Sequence, residues 1–392
     1  MDGVKLQDII GKPISGEWGN DDLTGKGVPV LRTTNFTNEG VINYDNVVTR
    51  DIPIKKIAGK YLTQGDILLE KSGGSDKQPV GRVVYFDGEE NKYVFNNFTA
   101  ALRIKDKNVW NSRYLFYALF ANYLKGGTVK YENKTTGLHN LKVDLFIRNF
   151  TIKKIPIELQ EALASKLDLV SRLIDLRKHQ MNDFDELVKS RFVELFGSPN
   201  NNIHNFPIVR LNDVAIGPLS YGSSSAAVEF NGQTRYIRIT DILSNGQLGK
   251  DIKSAAESGD KYLLKDGDIL FARTGATVGK TFKYSKNYGR SIYAGFLIRL
   301  RPNQAIINPD YLYYFTKSDY YQNFVISTQR TVAQPNINAK EYGNLRLLLP
   351  NIDLQNQFAH FVQQLDKSKL AVQKSLDELE ILKKSLMQQY FG

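Results

Sequence analysis

The sequence predicts an α+β protein built twice over: two pseudo-symmetric mixed α/β domains, each running into a long helix, with the two helices packed as an antiparallel intramolecular coiled coil. Three observations predict this. The second half of the 392 residues restates the first in the same order at a separation drifting from about 205 to 195 positions. The last part of each repeat aligns without a gap and carries a heptad-like apolar pattern. The remainder is short Val-, Ile-, Tyr- and Phe-rich runs punctuated by Gly, Asn and Asp, the signature of strands and turns. The expected boundaries are residues 1–152 for the first domain, 153–197 for the central helix, 198–348 for the second domain and 349–392 for the last helix.

The repeat is legible element by element. Leu6-Gln7-Asp8-Ile9-Ile10-Gly11 returns as Leu211-Asn212-Asp213-Val214-Ala215-Ile216-Gly217, and Leu31-Arg32-Thr33-Thr34 as Ile237-Arg238-Ile239-Thr240. Gly65-Asp66-Ile67-Leu68 returns as Gly267-Asp268-Ile269-Leu270. Strands are expected over residues 80–86 and 267–271, and one short helix in each copy, over 111–123 and 309–321. Changing separations place insertions in the loops, whereas residues 157–197 lie over 352–392 without a gap. One length is constrained and the others are not.

That constrained segment reads as helix. Positions 163, 167, 170, 174, 177, 181, 184, 188, 191 and 195 alternate steps of four and three and are mostly apolar, as are 358, 362, 365, 369, 372, 376, 379, 383, 386 and 390 in the second copy. Pro156 and Pro350 stand just before each start, Glu158, Glu161 and Asp353 occupy first turns, and Lys189, Lys383 and Lys384 lie near the ends, as the helix dipole prefers. Forty residues of helix span about 60 Å. A link, Ser198-Pro199-Asn200-Asn201-Asn202, joins the halves. Pairing of these helices between chains remains the other arrangement the pattern allows.

Composition narrows the chemistry. Hydrophobic residues make up 42% and charged residues 24%, with no cysteine, which excludes disulfides, iron–sulfur clusters, thiolate zinc sites and a cysteine nucleophile and points to the cytoplasm. The N-terminal MDGVKLQDII lacks signal-peptide character, and the longest nearly apolar run, 114–124, is too short to span a membrane. Lys and Arg exceed Asp and Glu by 52 to 41, a net +11, split as 29 against 25 up to Phe196 and 23 against 16 beyond it. Such a charge favours a polyanionic partner through counterion release.

No catalytic or metal-binding constellation is expected. Gly275-Ala276-Thr277-Val278-Gly279-Lys280-Thr281 is one residue short of a phosphate-binding P-loop and is followed by strand-like residues, so it reads as a strand-turn-strand tip displaying Arg273 and Lys280. Glu90-Asn91-Lys92 and Glu132-Asn133-Lys134 mimic a nuclease pattern but do not recur in the other half. The four histidines, His139, His179, His204 and His360, have no metal-ligand spacing. Two pairs of loops suit phosphate anchoring and base-edge hydrogen bonding instead. One pair contains Lys71, Ser72 and Gly73, matched by Arg273, Thr274, Gly275 and Lys280. The other contains Lys134, Thr136, His139 and Asn140, matched by Arg330, Thr331, Gln334 and Asn336.

With these residues in view, the whole chain resembles the specificity (S) subunit of type I restriction-modification systems. The resemblance rests on the alternation of domains and helices, on the helix starts Ile155-Pro156-Ile157-Glu158-Leu159-Gln160 and Leu349-Pro350-Asn351-Ile352-Asp353-Leu354-Gln355, and on the Gly-Asp-Ile-Leu repeats, the second followed by Arg273-Thr274-Gly275. The first half departs there with Lys71-Ser72-Gly73. The resemblance implies a non-catalytic DNA-binding chain in which two target-recognition domains each read half of a split, asymmetric site in double-stranded DNA. The helices would set the distance and dock two methyltransferase subunits. It places S-adenosylmethionine on those partners, and ATP and Mg²⁺ on two restriction subunits where a nuclease is present, with no cofactor in this chain. A free-standing DNA-binding regulator and a homodimeric coiled-coil scaffold are the alternatives.

Overall fold

The two ends of the first domain are stitched together: strand Gly3–Lys5 pairs antiparallel with Thr151–Lys153, with Val4 opposite Ile152. The computed structural model describes residues 3–135, 138–243, 246–257, 259–329 and 336–392. It divides into two units, Met1–Leu176 with Leu376–Gly392, and Arg177–Ser375.

In the first unit the fully buried strand Ile67–Glu70 lies between Thr99–Leu102 and Val83–Tyr85, and Ile14–Ser15 completes a four-stranded antiparallel sheet. Val28–Leu31 pairs in parallel with Val94–Phe95 beside it. The second unit repeats the plan. Ile269–Ala272 lies between Leu297–Leu300 and Thr281–Lys283 with Ser220–Tyr221 at the edge, Arg235–Ile237 runs parallel to Ser291–Tyr293, and Ile208–Arg210 closes against Arg346–Leu348. Runs such as Ile-Leu-Leu and Ile-Leu-Phe suit strands buried on both faces.

The Gly-Asp-Ile-Leu repeat proves structural. Asp66 and Asp268 are buried, and each carboxylate takes two hydrogen bonds from one guanidinium, Arg103 at 2.7 and 2.6 Å and Arg301 at 3.0 and 2.9 Å. The same carboxylates accept the N–H groups of Thr63 and Lys265, so each pins the turn that opens its central strand. Of the expected strand 80–86 only Val83–Tyr85 forms, because Gly81 has φ of 106° and the N–H of Val80 donates to Glu132 Oε1. The expected strand 267–271 starts two residues late, at Ile269, where the turn ends.

The long helices form as expected, Ile157–Phe196 and Ile352–Phe391. A buried glutamine fastens each start to its domain. Gln160 accepts the N–H of Asn111 and donates to the carbonyls of Val109 and Ile155; Gln355 accepts the N–H of Asn308 and donates to those of Ile306 and Pro350.

In the first unit, Leu167, Val170 and Ile174 share a core with Leu376, Leu386 and Met387. Phe391, at the far end of the last helix, packs on Tyr114, whose hydroxyl donates to the carbonyl of Lys153 just before the first long helix, so the two segments run antiparallel; Lys125 also donates to the carbonyl of Phe391. In the second unit Lys369 donates to Asp185 at 2.5 Å and Phe358 packs on Phe192, again an antiparallel order. Burying each such apolar side chain contributes about 1.5–3 kcal/mol, against about 0.2–1 for an exposed ion pair, so the apolar seam dominates.

Two expectations need correction. The seam's buried positions are Val188, Phe192 and Phe196, with Leu195 packed beside them as expected; Arg191 instead pairs with the exposed Glu194, because a helix of 3.6 residues per turn drifts from a strict 3.5 repeat and the aromatic cluster with Tyr311 and Phe358 captures the next position. The helix expected over 309–321 breaks into Pro309–Phe315 and Asp319–Gln329, whereas Ser112–Leu124 stays whole. The hydroxyls of Thr316 and Ser318 turn back to the carbonyls of Tyr313 and Phe315, competing with helix continuation.

Candidate nucleic-acid interface

Each unit joins the two nominated loops into one surface by the same main-chain bonds. In the first, the strand Ser72–Gly74 follows the buried strand Ile67–Glu70 and pairs with Leu138–Leu141, placing Ser72 opposite Asn140. The N–H of Lys71 donates to the carbonyl of Phe98 at 2.7 Å, and the carbonyl of Lys71 accepts from Leu141 at 2.8 Å. In the second, Arg273 donates to Phe296 at 3.1 Å and accepts from Ile337 at 2.9 Å, and Thr274 bridges Asn336. Lys71 therefore matches Arg273, and Asn140 matches Asn336.

The two cations are held differently. The guanidinium of Arg273 lies over the ring of Tyr221 at 4.8 Å, with Nε 3.3 Å from Asn336 Oδ1. Cation–π contact and a polar neighbour fix its direction without neutralising it. Lys71 is half-buried and has no carboxylate partner among the described residues. Burial, reinforced by the charge of Lys60, lowers its pKa. Lys60 itself is paired with Glu17 at 2.6 Å. A cation that is partly dehydrated and lacks a counter-ion gains most from meeting a phosphate.

Gly73 and Gly275 are exposed with φ of 125° and 66°, conformations other residues rarely adopt. Thr274 is half-buried, its carbonyl accepting the hydroxyl of Thr277. Two nominated side chains turn inward. Lys280, expected on display, directs Nζ to within 3.5 Å of the carbonyl of Ile242. Its counterpart Arg82 does the same to Phe36 and also holds the buried Glu70, which explains a cation at this place as scaffolding.

His139 is only 7% exposed, with Nδ1 3.1 Å from Glu132 Oε2 and Nε2 3.6 Å from Asp76 Oδ1. Its strand alternation points it into the domain while Asn140 points the other way. The carboxylates face opposite nitrogens and do not converge on one point, and the described residues hold no group of three or more His, Cys, Asp or Glu suited to a metal ion. Lys134 lies on the strand Glu132–Thr135 opposite His139; its side chain, with Thr136, Arg330, Thr331 and Gln334, lies outside the described residues.

Sequence reasoning missed Tyr221, which orients Arg273, and the two phenylalanines whose carbonyls anchor the cations. Their signal was the repeat itself, since Phe98 and Phe296 are aligned through the strands that follow them.

A family model described as the type I restriction modification DNA specificity domain matches residues 2–183 and again 204–380. The chain is 31% identical over 154 residues to the putative MjaX specificity subunit of Methanocaldococcus jannaschii, a match covering 38% of this chain and 36% of that protein. A second relative from that organism, the MjaVIII specificity subunit, is also matched over 36% of its length, so the chain spans about a third of these two relatives. The EcoBI specificity subunit of Escherichia coli is 21% identical over 355 residues, 80% of this chain and 73% of that one. The S subunit of a type I restriction-modification system from M. genitalium shares the fold, with a TM-score of 0.61 at 16% identity over 100% of this chain and 96% of that one. Matched twice across most of its length, the chain belongs to the type I restriction-modification DNA specificity family, with one copy of the domain in each half.

Proposed function

We propose that this chain is the non-catalytic specificity subunit of a type I restriction-modification complex and that it reads a bipartite, asymmetric site in double-stranded DNA, one half per domain. The observation that carries the reading is the cation-and-asparagine surface built by identical main-chain bonds in both copies, on loops whose lengths differ. Lys71 and Arg273 engage phosphates or the guanine edge, which accepts a bidentate guanidinium; Asn140 and Asn336 suit the adenine edge. The +11 charge supplies the general attraction to the duplex.

The long helices set the separation of the half-sites and dock two methyltransferase subunits. Those partners bring S-adenosylmethionine to the target adenine; restriction subunits, where the complex also cleaves, use ATP and Mg²⁺. The complex works in the cytoplasm. Mapping adenine methylation genome-wide in cells with and without this gene tests the reading. Loss of methylation at one two-part motif is the expected result; an unchanged methylation pattern would overturn it.

A further inference from the structure

Each domain carries an exposed phenylalanine at the same place. Phe98 is 48% and Phe296 58% exposed, yet neither joins a core cluster or a ring pair among the described residues. Each occupies the third position of a tight turn, closed by Thr99 N–H to the carbonyl of Asn96 at 3.1 Å and by Leu297 N–H to that of Ala294 at 2.8 Å. Each Phe carbonyl accepts the N–H of the nominated cation, Lys71 or Arg273. Ring, cation and asparagine thus leave one hydrogen-bonded cluster of main chain, twice.

A single exposed apolar residue needs no explanation. Recurrence does. The two copies have diverged so far that Asn97 stands where the other has Gly295 and Lys71 where it has Arg273, and the turn residue most favoured by solvent would be Asn, Gly or Asp. Keeping a ring at both turns forgoes the burial that would stabilise the free protein, which points to a partner that covers it. The neighbouring cation and amide make that partner a nucleic acid duplex rather than an apolar protein surface. A ring cannot neutralise phosphate, so its target is a base.

We propose that Phe98 and Phe296 are base-contacting residues, each laying its ring against DNA bases of its own half-site. This rests on the reading of the chain as a DNA-specificity subunit. Apolar contact with a base takes two forms, packing on a thymine methyl or insertion at a base step.

The test uses the full chain assembled with its methyltransferase subunits. Binding is measured by fluorescence anisotropy to a duplex carrying the motif found by methylation mapping and to an unrelated duplex of equal length. Phe98→Ala and Phe296→Ala, with Phe98→Asn and Phe296→Asn as turn-compatible replacements that guard against misfolding, should each weaken binding to the motif duplex at least about fivefold. Binding to the unrelated duplex and the salt dependence should stay as in the unsubstituted chain, since no phosphate contact is removed. Uracil in place of thymine reproduces the loss if a methyl is touched; a 2-aminopurine signal that rises with the unsubstituted chain and not with the variants marks insertion. Unchanged motif binding in all four variants, or no response in both base-analogue arms, overturns the proposal. If the unsubstituted complex itself fails to prefer the motif duplex, the DNA-specificity reading fails instead.

Discussion

Lys317 sits at the break between the two short helices of the second domain, its ammonium 4.6 Å over the ring of Tyr313 and donating to the Thr281 hydroxyl at 3.1 Å. A cavity of about 530 Å³, lined by Glu186, Lys189, Phe192, Tyr314 and Asp319 among others, opens beside it. Among the described residues the buried carboxylates Asp66, Glu70, Asp241 and Asp268 are each paired with an arginine, whereas Lys317 has only the ring and the hydroxyl. Burial pushes the Lys317 pKa down to about 8 from 10.5. Below pH 8 the amine is charged both folded and unfolded, and the full cost of burying it weighs against the fold. Between about 8 and 10.5 the unfolded chain holds more protons, so this residue's burden falls as pH rises. Lys317→Met is therefore expected to stabilise the protein at pH 7 by up to about 3 kcal/mol. Urea unfolding at pH 7 and pH 10 should show that gain shrinking at the higher pH; a destabilised variant at pH 7 would count against it.

At the scale of elements, the start of each long helix is fastened to its domain by one buried glutamine. Gln160→Ala or Gln355→Ala leaves one N–H and two carbonyls unpaired where both glutamines are fully buried. Each is expected to destabilise its own domain by on the order of 2 kcal/mol, measured by denaturant unfolding, and a neutral substitution would show that the helix start is held otherwise. The helices themselves were legible because two 40-residue segments align without a gap and keep a 4-3 apolar rhythm. The alternation of Gly with β-branched runs likewise exposed the central strands. Local pattern could not reach the rest. The inward turn of Lys280 depends on a carbonyl 38 residues away, at Ile242. His139 is enclosed where its strand pairs with Gly74, far earlier in the chain. Thr316 and Ser318 break the helix within the polar stretch Thr316-Lys317-Ser318-Asp319, by hydroxyl bonds to carbonyls that apolar spacing alone does not reveal. In the site, the cations and asparagines were readable as loop residues, while their union in one surface required the strand pairing of 72–74 with 138–141.

At the scale of the molecule, each domain begins and ends on its own antiparallel strand pair, Gly3–Lys5 with Thr151–Lys153 and Ile208–Arg210 with Arg346–Leu348. A domain closed in this way is expected to transfer as a unit when the exchange carries both strands. Each half also keeps its own excess of basic residues, +4 and +7 (29 − 25 and 23 − 16), which on the proposed function gives each its own attraction to the duplex. On the proposed function the two domains read DNA independently. The most direct test is to replace residues 1–153 with the corresponding domain of a relative, express the chimera with the methyltransferase subunits, and map methylated adenines across the genome. One half of the two-part motif should change while the other half keeps its bases; both halves changing together, or neither changing in an active complex, would contradict the account.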